Sequence, residues 1–169
     1  MTFVEDWFGV HSCQALANLY EKVRDLDGDV VEIGCWEGRS TIALASACKP
    51  AVVHAVDTWR GSPGEVSEEL AASRDVYATF CENTAGLNIL PHRMGWRDYL
   101  PSSGPIRFVH IDAEHSYLEV RENIEAVLPL MVPGGVICGD DVHHPPIQQA
   151  VRDVLGVLQS DATLWWYQC

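Results

Sequence analysis

Three aspartates are the residues of this chain best equipped for chemistry. Asp112 follows the apolar run Ile106-Arg107-Phe108-Val109-His110-Ile111, and Asp140-Asp141 follow Val136–Cys138 and Gly139. Carboxylates gathered in one place raise one another's pKa, which is costly unless a cation neutralises them. Magnesium or another hard divalent ion does so with a few protein carboxylates, completing its shell with water and substrate oxygens. The pattern predicts a metal site made of Asp112, Asp140 and Asp141, if the fold brings the ends of two strands together. The alternative is that one aspartate caps the following helix and another is solvated. Proton acceptors stand beside both ends: Glu114 and His115 after Asp112, His143 and His144 after Asp141. Histidine has the better pKa for general-base work near neutrality. His110, inside the run, is read as a core histidine.

A second constellation lies in Val30–Thr41, VVEIGCWEGRST. Val30, Val31 and Ile33 form a short apolar β-run, Gly34 and Gly38 bracket a tight connection, and Ser40-Thr41 lead into the small apolar run Ile42–Ala47. A glycine lets backbone approach a ligand and permits positive φ, and the free N–H groups of a helix start meet polar ligand atoms. The pattern is E-x-G-x-x-x-G, from Glu32 to Gly38. It departs from the dinucleotide pattern G-x-G-x-x-G at Trp36 and Arg39. A turn whose glycines serve only packing is the competing reading. Asp57 closes a second strand, Val52–Val56, 23 positions after Gly34, near the distance at which a carboxylate receives a pair of ribose hydroxyls.

These groups need elements to hold them. Ala15, Leu16, Leu19, Tyr20 and Val23 predict a helix within residues 11–26, stopped by Asp27-Gly28-Asp29. Trp7 and Phe8 precede it and either cover a ligand or complete the core, packing being the preferred reading. After Asp57, Thr58-Trp59-Arg60 run into the loop Gly61–Gly64, and residues 66–84 have a helical pattern. Leu87–Met94 contains a third strand that delivers Gly95-Trp96-Arg97; Trp96 either stacks on a flat heterocycle or fills a gap between helices. Tyr117, Val120, Arg121, Ile124, Val127 and Leu128 form one face of a helix, with Glu119, Glu122 and Glu125 on the other. Pro145-Pro146 start a last helix with Ile147, Val151, Val154, Leu155 and Leu158 on one face. Strands alternating with crossover helices predict a parallel α/β sheet with ligands at the carboxyl ends of its strands. Only one strand, Thr163–Tyr167, is expected after the last helix, antiparallel at the edge. Its neighbour would be missing or come from another subunit, and Trp165-Trp166-Tyr167 on such an edge predicts a homodimer.

Composition bounds the partners. The 169 residues predict a single domain, a helical segment over 1–28 followed by an α/β core over 29–169. Eleven basic against 24 acidic residues give a net charge of −13, which disfavours nucleic acid or an anionic membrane as main partner. No stretch reads as a signal peptide or membrane span. Six cysteines without paired metal spacing, of which Cys35, Cys48 and Cys138 sit in or beside apolar segments, predict small buried hydrophobes in a reduced, cytoplasmic compartment.

Taken in order, ExGxxxG, VDTW, IDAEHSY and LxxPGGVIxxDD resemble the small O-methyltransferase branch of the class I S-adenosylmethionine-dependent methyltransferases. The resemblance spans roughly residues 28–145. It is nearest to the metal-dependent sugar O-methyltransferases of macrolide and aminocoumarin biosynthesis, and looser to catechol-type enzymes. It implies a Rossmann-like, doubly wound, mostly parallel sheet with helices on both faces. It further implies metal-assisted methylation of a hydroxyl on a small sugar, polyol or phenol. The cofactor surface then falls on Glu32, Gly34, Cys35, Gly38, Ser40, Thr41, Asp57, Thr58, Trp59, Trp96 and Asp112, and the magnesium ligands on Asp112, Asp140 and Asp141. The proton acceptor falls on Glu114, where the sugar enzymes carry an aspartate, with His115 and His144 as the histidine candidates. Relatives carry a longer N-terminal part or an insertion over the acceptor, and this chain has little of either. That leaves two other readings: a nucleoside-binding module without catalysis, and a related metal-dependent hydroxylase.

Overall fold

The computed structural model describes residues 3–5 and 7–169. Helix α1, Val10–Glu21, precedes strand β1, Asp29–Ile33; α2, Arg39–Ala47, leads to β2, Val53–Asp57. Then follow α3, Val66–Ser73, α4, Val76–Thr84, β3, Ile89–Arg93, the short α5, Trp96–Tyr99, and β4, Ile106–Ile111. Helix α6, Tyr117–Val127, β5, Met131–Gly139, α7, Pro145–Leu155, β6, Gln159–Asp161, and β7, Leu164–Gln168, complete the chain. The sheet order is β3-β2-β1-β4-β5-β7-β6, parallel from β3 to β5 and antiparallel in the last two strands. This is the Rossmann-like, doubly wound architecture expected from the strand–helix alternation.

Period-two alternation sorts the core onto two faces. Val30, Phe108, Val136 and Cys138 pack with Leu16, Leu19 and Tyr20 of α1 and Leu44 of α2. Val31, Ile33, Val109, Ile111 and Ile137 pack on the opposite face with Val120 and Ile124 of α6 and Ile147 and Val151 of α7. A smaller cluster of Cys35, Ala55, Trp59, Val76 and Phe80 seats α4 behind the β1 turn.

The strand order reverses between β1 and β4, which opens a crevice at their carboxyl ends. Register puts Ile33 beside Ile111 and Ile111 beside Gly139. Pairing continues one residue further: the Asp112 N–H donates to the Ile33 carbonyl at 2.7 Å, and the Asp140 N–H to the Ile111 carbonyl at 3.2 Å. Gly34, Asp112 and Asp140 thus end their strands at the same level.

The structure departs from the sequence reading in four places. The helical stretch 66–84 is two helices, because Arg74 is extended and Asp75 caps α4 by accepting the Ala78 N–H at 3.0 Å. Strand β5 starts at Met131 and takes Pro133-Gly134-Gly135 into the sheet, with a register break against β4 between Ile106 and Phe108. Helix α7 ends at Leu155 on the left-handed cap Gly156, leaving Leu158 outside it. Last, the chain itself supplies the neighbour of the C-terminal strand, since β6 pairs along β7. All three residues of β6 are exposed, and a short polar edge of this kind discourages further pairing. No unfinished aromatic edge is left to demand a second subunit. Among the described residues, no helix is long and apolar enough to cross a membrane.

Trp165 is buried under the strand ends, beside Ile111 and Ile147, with Gly139 leaving room for its ring: a Cβ on Gly139 would run into it. Trp165→Ala should therefore lose about 3–5 kcal/mol of stability, read as a lower urea midpoint. A loss below about 1 kcal/mol would show that the ring does not buttress the site.

Candidate active site

The turn after β1 is held open by one carboxylate. Asp57 Oδ2 accepts the N–H groups of Cys35 at 2.8 Å and Trp36 at 3.0 Å, and Oδ1 accepts that of Trp59 at 2.6 Å. Trp36 and Trp59 both have positive φ, 46° and 53°. That conformation costs an L-residue roughly 1–2 kcal/mol, and the Asp57 bonds offset it. The Trp59 indole N–H closes the arrangement on the Trp36 carbonyl at 2.8 Å. Burial pushes the Asp57 carboxyl upward, while the three N–H groups pull the other way. Gly34, at φ 86°, lies against the Asp112 backbone so closely that any Cβ would overlap the Asp112 carbonyl.

Gly34, Cys35, Ser40, Asp57, Thr58, Trp96 and Asp112 line one cavity of about 1040 Å³ at the carboxyl ends of the strands. Four residues assigned to the cofactor surface stand behind that lining instead. Glu32 is fully buried, its Oε1 2.9 Å from His110 Nδ1. Burial lowers the His110 pKa, but the Glu32 hydrogen bond and charge outweigh it, and the net shift is upward. Thr41 is buried in α2, Gly38 is the left-handed N-cap of that helix, and the Trp59 ring packs between Tyr77 and Phe80. These four shape the turn from behind. His110 is the core histidine that its place in the strand predicts.

Trp96 fills a gap beside the core and also borders the cavity. Its indole N–H donates to Glu119 Oε1 at 2.6 Å, the Arg97 guanidinium lies 4.1 Å over its ring, and the side chain borders the cavity while packing on the core. Arg97 in turn pairs with Glu119 and Glu122, which steadies the ring from α6.

Asp112, Asp140 and Asp141 meet at the far end of the same cavity. Asp141 has φ 58°, so the chain has left the strand by that point and the two adjacent aspartates do not simply point to opposite faces. The closest set of possible cation ligands is nevertheless Asp112, His115 and Asp141, with ligand atoms all within 4.8 Å of one another. His115 Nε2 is 3.0 Å from Asp141 Oδ2 and 3.9 Å from Asp112 Oδ1. Asp140 lies deeper, 8% exposed, and its Oδ1 has no hydrogen-bond partner. Burial and the Asp112 charge push its carboxyl upward, whereas the His115 hydrogen bond holds Asp141 down. Asp112, Asp141 and Glu65 together raise His115 to about 11. The carboxylates around the ring thus favour its charged form in this arrangement. Glu114 lines the cavity; His144 does not, being exposed and edge-on to His115 with ring centres 6.2 Å apart.

Two segments cover the cavity. Phe3, Glu5, Trp7 and Phe8 line it from the N-terminal side, with Trp7 5.4 Å from the Trp36 ring and Phe8 in the core. Arg74 ties this segment down by pairing with both Glu5 and the buried Glu37. Residues 61–65 line it from the other side, and Glu65 reaches His115. The partners of these contacts lie 29 to 69 positions apart, beyond any local pattern.

The family model described as "Methyltransferase domain" matches residues 31–142. No curated protein matches the chain. Among solved structures, the O-methyltransferase NovP aligns with a TM-score of 0.68 at 19% identity, over 95% of this chain and 80% of its own. The calicheamicin methyltransferase CalS11, also described as a TDP-rhamnose 3'-O-methyltransferase, aligns with 0.67 at 17%, over 95% and 80%. An O-methyltransferase from Bacillus cereus in complex with SAH aligns with 0.60 at 20%, over 96% and 84%. At such identities the likeness is one of fold.

Removing the Asp57 carboxylate orphans three N–H groups and releases two strained tryptophans. Asp57→Ala should lose roughly 3 kcal/mol or more of stability, since each unpaired buried donor costs about 1–3 kcal/mol. Amide exchange at Cys35, Trp36 and Trp59 should accelerate well beyond that of β4. Unchanged protection at these three amides would contradict the bracing role.

Proposed function

The chain belongs to the methyltransferase-domain family, and we propose that it moves the methyl group of S-adenosylmethionine onto a hydroxyl of a small sugar, polyol or phenol with the help of a divalent cation. The observation that carries this reading is the common level of Gly34, Asp112 and Asp140 at three neighbouring strand ends, in one cavity with Asp57. The volume suits a nucleoside and an acceptor together. The likeness to NovP, an O-methyltransferase, and to CalS11, a TDP-rhamnose 3'-O-methyltransferase, supports an oxygen acceptor, and CalS11 a sugar.

The residues fit both groups. Gly34 borders the cavity, the N-terminus of α2 has no side-chain cap at Gly38, and Trp96 offers an aromatic ring. The unpaired, buried Asp140 Oδ1 and the cluster around Asp112 and Asp141 suit a cation. When bound, S-adenosylmethionine supplies an electrophilic methyl on a sulfonium, and the cation lowers the pKa of a coordinated hydroxyl. Asp57, through its remaining lone pair, takes a ribose hydroxyl while it braces the turn. Trp96, backed by Arg97 and Glu119, holds the flat base. Asp112, Asp140 and Asp141 would hold the cation, and Glu114 takes the proton of the acceptor hydroxyl. Phe3, Trp7 and the loop 61–65 exclude water. A cytoplasmic setting accords with the buried positions of Cys35, Cys48 and Cys138 as small apolar residues.

Calorimetry with S-adenosylhomocysteine should give one-to-one binding, weakened about tenfold in Trp96→Ala, the equivalent of about 1.4 kcal/mol of stacking. Radiolabelled methyl transfer to a panel of sugars, polyols and catechols should stop in Asp140→Asn, whose cofactor affinity should stay within about twofold because the cofactor rests on β1 and β2. No binding of S-adenosylhomocysteine at millimolar concentration would refute the reading.

A further inference from the structure

His115 is held in a way that an exposed ion pair would not require. Its Nδ1 is 3.0 Å from Glu65 Oε1, and its backbone N–H donates to the same oxygen at 3.2 Å. Its other nitrogen, Nε2, is directed between Asp141 and Asp112. A carboxylate on one ring nitrogen and a gap between two further carboxylates at the other is how proteins present imidazole to a metal. The hydrogen bond to the first nitrogen fixes the tautomer and leaves the second lone pair free to coordinate.

Glu65 is committed to this contact. It is the N-cap residue of α3, yet its side chain makes no cap hydrogen bond to its own helix and spans 50 positions to His115. Its loop is tied in place: the Ser62 N–H donates to Ser67 Oγ at 2.9 Å, the Gly64 N–H to Glu68 Oε2 at 2.8 Å, and the Glu65 N–H to the Ser62 carbonyl at 3.1 Å. Next to the cluster, the buried Asp140 Oδ1 has no donor, a separate sign that something positively charged belongs there.

We propose that His115 is a ligand of the cation site together with Asp112 and Asp141, oriented by Glu65, so that the site takes a first-row transition ion in preference to magnesium. The proposal rests on the cation reading above and adds to it the ligand type and the metal class. Magnesium favours oxygen donors and keeps its water, whereas imidazole suits the transition series. Ligand atoms within 4.8 Å of one another can share one such ion. Glu65 belongs to the loop lining the cofactor side of the cavity, so the His115 ring is set in part by the segment that covers the nucleoside.

Manganese is the probe, because it is paramagnetic and binds both oxygen and nitrogen. Full-length protein with histidine labelled by nitrogen-15 should show, in pulsed electron paramagnetic resonance, a directly coordinated nitrogen-15 coupling to bound manganese. Calorimetric competition should favour manganese over magnesium by at least tenfold. In His115→Asn the coupling should vanish and the preference fall to a few-fold. In Glu65→Gln manganese affinity should drop roughly tenfold or more, as loss of an orienting partner does. Bound manganese without histidine coupling in the wild-type protein would overturn the proposal and leave the carboxylate cation site standing. Manganese that does not bind at all would overturn the cation reading and this proposal with it. The wild-type spectrum decides the matter even if a variant fails to fold.

Discussion

The carboxylate of Asp57 is the constraint on which the cavity depends. It accepts three backbone N–H groups from two loops that meet only because β1 and β2 are parallel neighbours. Two of the three donors belong to tryptophans with positive φ, a conformation few residues adopt without support. The carboxylate therefore sets the shape of the turn that backbone and ligand share. Its charge is buried at a cost, and three N–H dipoles pointing at it offset much of that cost. An aspartate at this position has work to do before any ligand arrives.

From that bracket outward, the site is organised by sign of charge. One arginine, Arg74, satisfies Glu5 and Glu37 and so fastens the N-terminal segment to the wall of the cavity. Arg97 does the same for Glu119 and Glu122 around Trp96. At the strand ends no arginine or lysine plays this part. There the carboxylates of Glu65, Asp112 and Asp141 surround one imidazole, and the inner aspartate keeps an unpartnered oxygen. In a chain with net charge −13, these carboxylates line one part of the cavity. The neutralising partner there is a proton on His115 in the arrangement described, and a metal ion in the function proposed.

How far the sequence reaches is clear from particular residues. Strand β4 and its Asp112, the turn at Gly34, and the helix stripes of α1 and α6 all follow from local causes. These are β-branched runs, glycines and 3.6-residue spacing. Each operates over fewer than a dozen residues, so the residues alone state it. The winding of the sheet follows as well, because alternating strands and crossover helices admit few arrangements.

Tertiary structure decided what distance along the chain conceals. Glu32 has the motif position of a ligand-binding residue, but strand register sets it against His110 and turns it into the core. Whether an edge strand has a neighbour depended on three polar residues, 159–161, with almost no β-signal of their own; pairing with β7 makes them a strand. Above all, Glu65 and His115 carry no common pattern. Their contact exists because the loop after β2 and the loop after β4 emerge at the same end of a parallel sheet. The sequence by itself determined which strand ends bear carboxylates. Which side chains face one another across those ends was left to the packing, because side-chain direction at a loop is set by long-range contacts that local propensity does not encode.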